Sequence, residues 1–125
     1  MPPAEVELHT RVVGVSYVDG YPMETIYPIR DAMAEREGFA RAESIPAVII
    51  RNPDNRFDRN ACEVHVPMVD RMIGHLPKDM AARVVAYIAN GYSIGPCEVT
   101  SVRIHPANPD NPGIDIRVTM WKPER

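Results

Sequence analysis

The chain has 125 residues, 45% apolar and 25% charged, with a formal net charge of −3. That size and balance suit one domain, 1–125, around one core, and exclude disordered, collagen-like and low-complexity sequence. The acidic excess also excludes a protein that holds nucleic acid through its average field, so any phosphate contact has to come from a local basic patch.

Read in chain order, VELHTRVVGVSYV (6–18) is rich in β-branched residues and nearly alternates. It predicts a first strand with Val6, Leu8, Thr10 and Val12 on one face and Val13, Val15 and Tyr17 on the other. Gly14 marks a bulge or bend, and Asp19-Gly20 marks a turn. Over 23–39 the period changes. Pro28 suits a first helical turn and Gly38 the position just past an end, while Ile29, Ala32 and Met33 form an apolar stripe. A short amphipathic helix is expected, inserted between two strands and covering one side of the sheet.

IPAVIIR (45–51) is almost wholly apolar and predicts a central strand. ACEVHVP (61–67) alternates, and RMIGHLP (71–77) reads as another short strand. Pro77 opens a helix over 77–91. Asp79 favours its positive N-terminal end, Met80, Val84, Tyr87 and Ile88 recur at core spacing, and Gly91 ends it. Residues 96–106 and 113–121 are the last two strands, joined by the polar loop ANPDNPG. Ile114, Ile116, Val118 and Met120 share one face. The repeat of NPDN at 52–55 and 108–111 is read as shared turn chemistry. Six short strands and two helices predict a mainly β, α+β fold, a small and partly closed six-stranded barrel with a helical insertion.

Cys62 and Cys97 do not make a disulfide framework and are expected reduced and buried. In Cys62-x-x-His65 the two side chains would point to opposite faces of a strand, so no zinc site and no cofactor are expected. The longest apolar run, 47–50, is too short to cross a bilayer, and no basic segment followed by an apolar one opens the chain. The expectation is a cytoplasmic protein with no membrane contact.

The turn 52–60 carries the chemistry. A plain hairpin needs two to five loop residues, whereas this one has Asn-Pro and Asp-Asn bends, Phe57, Asp54 and Asp58, with Arg51, Arg56 and Arg59 around them. A ring held at a surface is a stacking platform, and arginines beside it offer forked donors for phosphate. Asp58 suits the hydroxyl of an unesterified sugar, so the set suits the end of a single strand with its base on the ring. The plain alternative is that Asp54 and Asp58 cap the turn, that the arginines pair with them, and that Phe57 folds back over the barrel mouth.

VVGVSYVDG, VIIRNPDNRFDRNACEVHV and IGHLPKDMAARVVAYIANG resemble, in order, the blocks of the HIRAN domain family. Those are a first strand with Gly and an aromatic residue, a strand ending in Arg or Glu, Asn-Pro-(Tyr/Phe)-Asp-x-Asn-Ala with an apolar strand, and Gly-(Tyr/His)-Leu-Pro running into a helix. The resemblance covers 12–20 and 47–91. It implies an OB-like or SH3-like barrel and a non-enzymatic DNA-binding module that takes the 3′ end of single-stranded DNA. Carried over residue by residue, it implies stacking rings at Tyr17 and Phe57, hydroxyl readout by Asp58, and His75 and Lys78 near the terminal phosphates; Arg56 and Arg59 join the candidate nucleic-acid-binding set on their own chemistry beside Phe57. Lys78 also stands at a helix N-terminus, where a phosphate is favoured. Two positions depart from the pattern: Ser16 stands where DNA-binding members carry a basic residue, and Phe57 replaces a tyrosine.

A standalone bacterial or phage protein acting in DNA repair or replication, with a helicase or nuclease as a partner protein, fits this resemblance. The rival reading is a protein-interaction adaptor barrel of a phage or mobile element that binds a host factor, favoured by the net acidity and Ser16. An enzyme is the least supported class, since no Gly-rich phosphate loop, Ser/His/Asp set or metal cluster is evident.

Overall fold

The computed structural model describes residues 4–37, 44–105 and 107–123. Its elements are β1 (Ala4–Arg11), α1 (Ile26–Glu37), β2 (Ile45–Arg51), β3 (Cys62–Val66), β4 (Arg71–His75), α2 (Lys78–Ala89), β5 (Ser93–His105) and β6 (Asn108–Lys122). Short 3-10 turns follow β1 at Val15–Tyr17 and β3 at Pro67–Val69. The strands form one six-stranded sheet in the order β1-β6-β5-β2-β3-β4, antiparallel at every pairing.

β2 joins the two halves of the sheet. Its first residues pair with β5, from Ile45↔Val99 to Ala47↔Cys97, and its later ones with β3, from Val48↔His65 to Arg51↔Cys62. The β5–β6 hairpin changes register between Ile94 and Cys97, Val99 and Ser101, and Arg103 and His105. Such bulges add twist and let a long hairpin coil. The sheet stays open as a ladder, but its edges meet at one point: Val13, beyond β1, bridges to His75 at the end of β4. This is the partly closed, mainly β architecture expected from the strand pattern.

One face of each strand fills the core. Ile45, Cys62, Val64, Val66, Ile73, Val99, Ile114, Ile116, Val118 and Met120 are buried, with Ile26 and Ile29 from the α1 side and Met80, Ala81 and Val84 from α2. Each such aliphatic side chain contributes about 1.5–3 kcal/mol by leaving water. Both cysteines are free and buried. Burial pushes each thiol above its ordinary pKa, consistent with packing rather than reactive roles.

Four expectations are corrected. The first strand stops at Arg11 instead of running to 18, because Gly14 takes a left-handed φ of 72° and the chain turns there. Tyr17 therefore sits on a 3-10 turn, not on a strand face. The first helix begins at Ile26 rather than 23, and its expected Gly38 stop lies outside the described residues. β2 lies inside the sheet order but is buried on one face only, since Val48 and Ile50 are each 45% exposed. Finally, most of the expected polar loop 107–113 is strand: β6 begins at Asn108, opposite His105. β1 pairs with β6 only as far as Arg11↔Asp115. Past one further bond, from Val12 N–H to the Ile114 carbonyl, β6 pairs with β5 alone, and prolines, lacking an N–H, are tolerated on such an edge.

Candidate nucleic-acid interface

Three segments meet at one end of the barrel, each held there by backbone bonds. The first is the turn after Gly14. Tyr17 N–H donates to the Gly14 carbonyl at 3.2 Å, and buried Val15 anchors the turn. The second is the loop between β2 and β3. Asn52 N–H donates to the Ala61 carbonyl at 2.9 Å, extending the ladder past Arg51↔Cys62 and pinching the loop at its base. The third is the passage from β4 into α2, in which Leu76 N–H donates to the Cys62 carbonyl at 3.0 Å. His75 links all three, since it pairs with Glu63 of β3 and bridges to Val13.

The β2–β3 loop is built from two side-chain turns in series. Asn55 Oδ1 accepts from the backbone N–H of Phe57 at 2.9 Å and of Asp58 at 3.1 Å. Asp58 Oδ1 then accepts from Asn60 N–H at 2.9 Å. Short Asx side chains that bond their neighbours' backbone fix tight bends. At the loop's foot, Asn52 Nδ2 donates to Glu63 Oε2 at 3.1 Å, while Glu63 Oε1 lies 2.9 Å from His65 Nε2.

This scaffold decides where the candidate side chains stand. Phe57 is 88% exposed and Tyr17 92%, so neither ring folds over the barrel mouth. Arg51, Arg56 and Arg59 are exposed, and among the described residues no ion pair joins them to Asp54 or Asp58. The plain alternative for this loop thus holds only for Asp58, which does cap a turn. Its carboxylate is half-buried, with Oδ1 occupied by Asn60. Burial pushes the Cys62 thiol up, Arg51 pulls it down and Asp58 adds to the rise, so both charges lie close to the loop's base. His75 is half-buried, and Lys78 is exposed as the first residue of α2. Pro77, expected inside the helix, stands at its cap instead.

Among the described residues, no group of three or more His, Cys, Asp and Glu side chains converges to hold a metal. No described helix is long and apolar enough to cross a membrane.

A groove of about 480 Å³ runs from this end of the barrel between the Val15–Tyr17 turn and the β5–β6 hairpin, with Arg11, Arg103 and Asp115 among its lining residues. Sequence reasoning missed these three. Arg103 and Asp115 meet only because β5 and β6 are bulged into this register, and no motif signals that pairing.

Solved structures share the whole architecture. The HIRAN domain of human HLTF superposes with a TM-score of 0.60 at 22% identity, covering 96% of this chain and 81% of that one. A protein from Lactobacillus plantarum superposes with a TM-score of 0.60 at 16% identity, covering 97% of this chain and 99% of the other. At those identities the likeness is one of fold. No curated protein sequence matches the chain significantly. The HIRAN domain family model matches residues 6–120, nearly the full length, and the chain belongs to the HIRAN domain family.

Proposed function

We propose that this domain is a non-enzymatic DNA-binding module that takes the 3′ end of a single strand. Tyr17 and Phe57 stack on unpaired bases, and each such contact contributes about 1–3 kcal/mol. Asp58 accepts a hydrogen bond from the free 3′ hydroxyl. Arg56, Arg59 and Lys78 meet the phosphates, with His75 beside them. Membership of a family of DNA-binding domains supports the ligand class. The observation that carries the reading is the pair of rings, 92% and 88% exposed, on segments linked through His75, which pairs with Glu63 of β3 and bridges to Val13. Solvent-exposed aromatic side chains on rigid turns have an apolar face to cover.

The test is fluorescence anisotropy with single strands that differ only at the 3′ terminus, free hydroxyl against phosphate-blocked. Tighter binding of the free end is expected. Equal binding of both removes end recognition.

A second reading, an adaptor that docks another protein such as a helicase or nuclease, draws on Val48 and Ile50, which stand exposed on the outer side of β2. Failure to bind either strand, together with a stoichiometric complex with one purified protein, would favour it.

A further inference from the structure

The groove beside Tyr17 adjoins the proposed stacking site and carries its own charge. Arg11, Arg103 and Asp115 are the charged residues that line it, an excess of one positive charge. Its other lining includes Ser16 and Tyr17 from the 3-10 turn and Gly113 from β6. A second groove of about 430 Å³ continues from it, sharing Arg11 and Asp115 and passing His9 and Thr100. Both grooves are open at the surface.

Arg103 is held at the first groove. Its Nη1 donates to Asp115 Oδ2 and, at 2.7 Å, to Ser101 Oγ, and its Nη2 lies 3.3 Å from Asp115 Oδ1. Beneath it is Gly113, where an added Cβ would stand 2.8 Å from Nη2 and 3.2 Å from Cζ. The absence of a side chain there lets the guanidinium lie against the β6 backbone. Even so, the Arg103 side chain is 61% exposed, and its Nε is not committed to Asp115 or Ser101. A long flexible cation has thus been fixed in one place with donors left over, which is how a phosphate oxygen is met with little ordering cost. Arg11, opposite Asp115 in the β1–β6 register, adds a second exposed cation without an ion pair among the described residues.

We propose that Arg103, positioned by Asp115, Ser101 and Gly113, is a phosphate subsite for the strand leaving the stacked end, with Arg11 beyond it. This rests on the reading above and supplies, from the β5–β6 hairpin, the positive charge that position 16 lacks as serine. The ligand is the sugar-phosphate backbone of internal nucleotides, read without regard to base.

The experiment compares two probes with a free 3′ hydroxyl, a dinucleotide and a ten-nucleotide oligothymidylate, on the full chain and two variants. Arg103→Gln removes the charge. Gly113→Ala keeps every charge but pushes the guanidinium off its seat. Both variants are expected to weaken the ten-nucleotide probe by about 5- to 10-fold, and Arg103→Gln to flatten its log–log salt dependence by about 0.7, the share of one phosphate on a single strand. Dinucleotide binding stays unchanged. Equal weakening of both probes, or an unaffected ten-nucleotide probe, overturns the subsite while leaving end binding standing. If the unaltered chain binds neither probe, the end-binding reading falls and takes the subsite with it.

Discussion

Val13 and His75 exchange two backbone hydrogen bonds, at 2.8 and 2.9 Å. This bridge helps fasten the turn bearing Tyr17 to β4, together with Arg71 of β4, whose Nη1 donates to the Asp19 carbonyl and to Glu24 Oε2. β1 and β4 are otherwise the two edges of the sheet. A change that weakens the bridge is expected to loosen the Tyr17 turn without touching either ring.

Gly74 is the residue on which that bridge depends. A Cβ there would stand 2.6 Å from the Val13 carbonyl oxygen and 2.6 Å from Val12 Cγ1. Backbone cannot yield as a side-chain tip does. Gly74→Ala is expected to destabilise the domain by about 1–3 kcal/mol through overpacking. Chemical denaturation checks the loss, and amide exchange at Val13 and His75 should rise more than at Val118 in the core.

Removing the rings should separate binding from folding. With Phe57 88% and Tyr17 92% exposed, Phe57→Ala and Tyr17→Ala are expected to leave stability within about 0.5 kcal/mol. Each is expected to cost about 1–3 kcal/mol in single-strand affinity. Parallel thermal melts and anisotropy titrations decide it; a melt shift as large as the affinity loss would make the rings structural.

Asn55 holds Phe57 and Asp58 by their backbone, accepting from both N–H groups through one oxygen. Asn55→Ala removes both bonds in a solvent-accessible loop. A stability loss of about 1 kcal/mol or less is expected, with faster amide exchange confined to 55–60. Affinity should fall more than stability does, because Phe57 then has to be ordered on binding. Asn55→Asp, which keeps the acceptor, should restore the loop's protection.

How much of this was legible in the sequence depends on whether a feature is local. IPAVIIR gave its strand ends at Ile45 and Arg51 because an apolar run is bounded by turn residues on both sides. Ile114, Ile116, Val118 and Met120 showed their common buried face by strict alternation. The end of β1 was hidden, since only the left-handed conformation at Gly14 stops a run that otherwise keeps alternating. The early start of β6 was hidden too, because tolerance of its prolines depends on where β1 stops. At the candidate site, the exposed ring at 57 was readable from its charged neighbours. The Arg103–Asp115 pair was not, because it depends on bulges that only the folded hairpin reveals.

Thr25 offers a test of the core independent of any ligand. It is fully buried, and its hydroxyl has no hydrogen-bond partner among the described residues. A desolvated, unpaired hydroxyl costs about 1–3 kcal/mol, and valine has nearly the same shape without it. Thr25→Val is expected to raise the melting midpoint with affinity unchanged. A lowered midpoint would mean that the hydroxyl finds a partner in solution.

The Arg103–Asp115 pair should declare itself through acid. Arg103, donating to its oxygens, is the main reason the Asp115 carboxyl is held below its usual pKa, with Ser101 next and burial opposing both. An unfolded aspartate titrates near about 3.9. Above that pH the group is ionised in both states, and its contribution to stability is complete. As pH falls below it, the unfolded chain takes up the proton first, so stability drops until the folded carboxyl is also protonated. Both side chains are well exposed, at 61% and 41%, so the effect is modest and shrinks with added salt. Melting midpoints of the unaltered chain and of Asp115→Asn, followed from neutral pH to about pH 2, should differ most at neutral pH and converge below about pH 4. A gap that stays constant across that range would mean that the carboxylate charge does not hold Arg103.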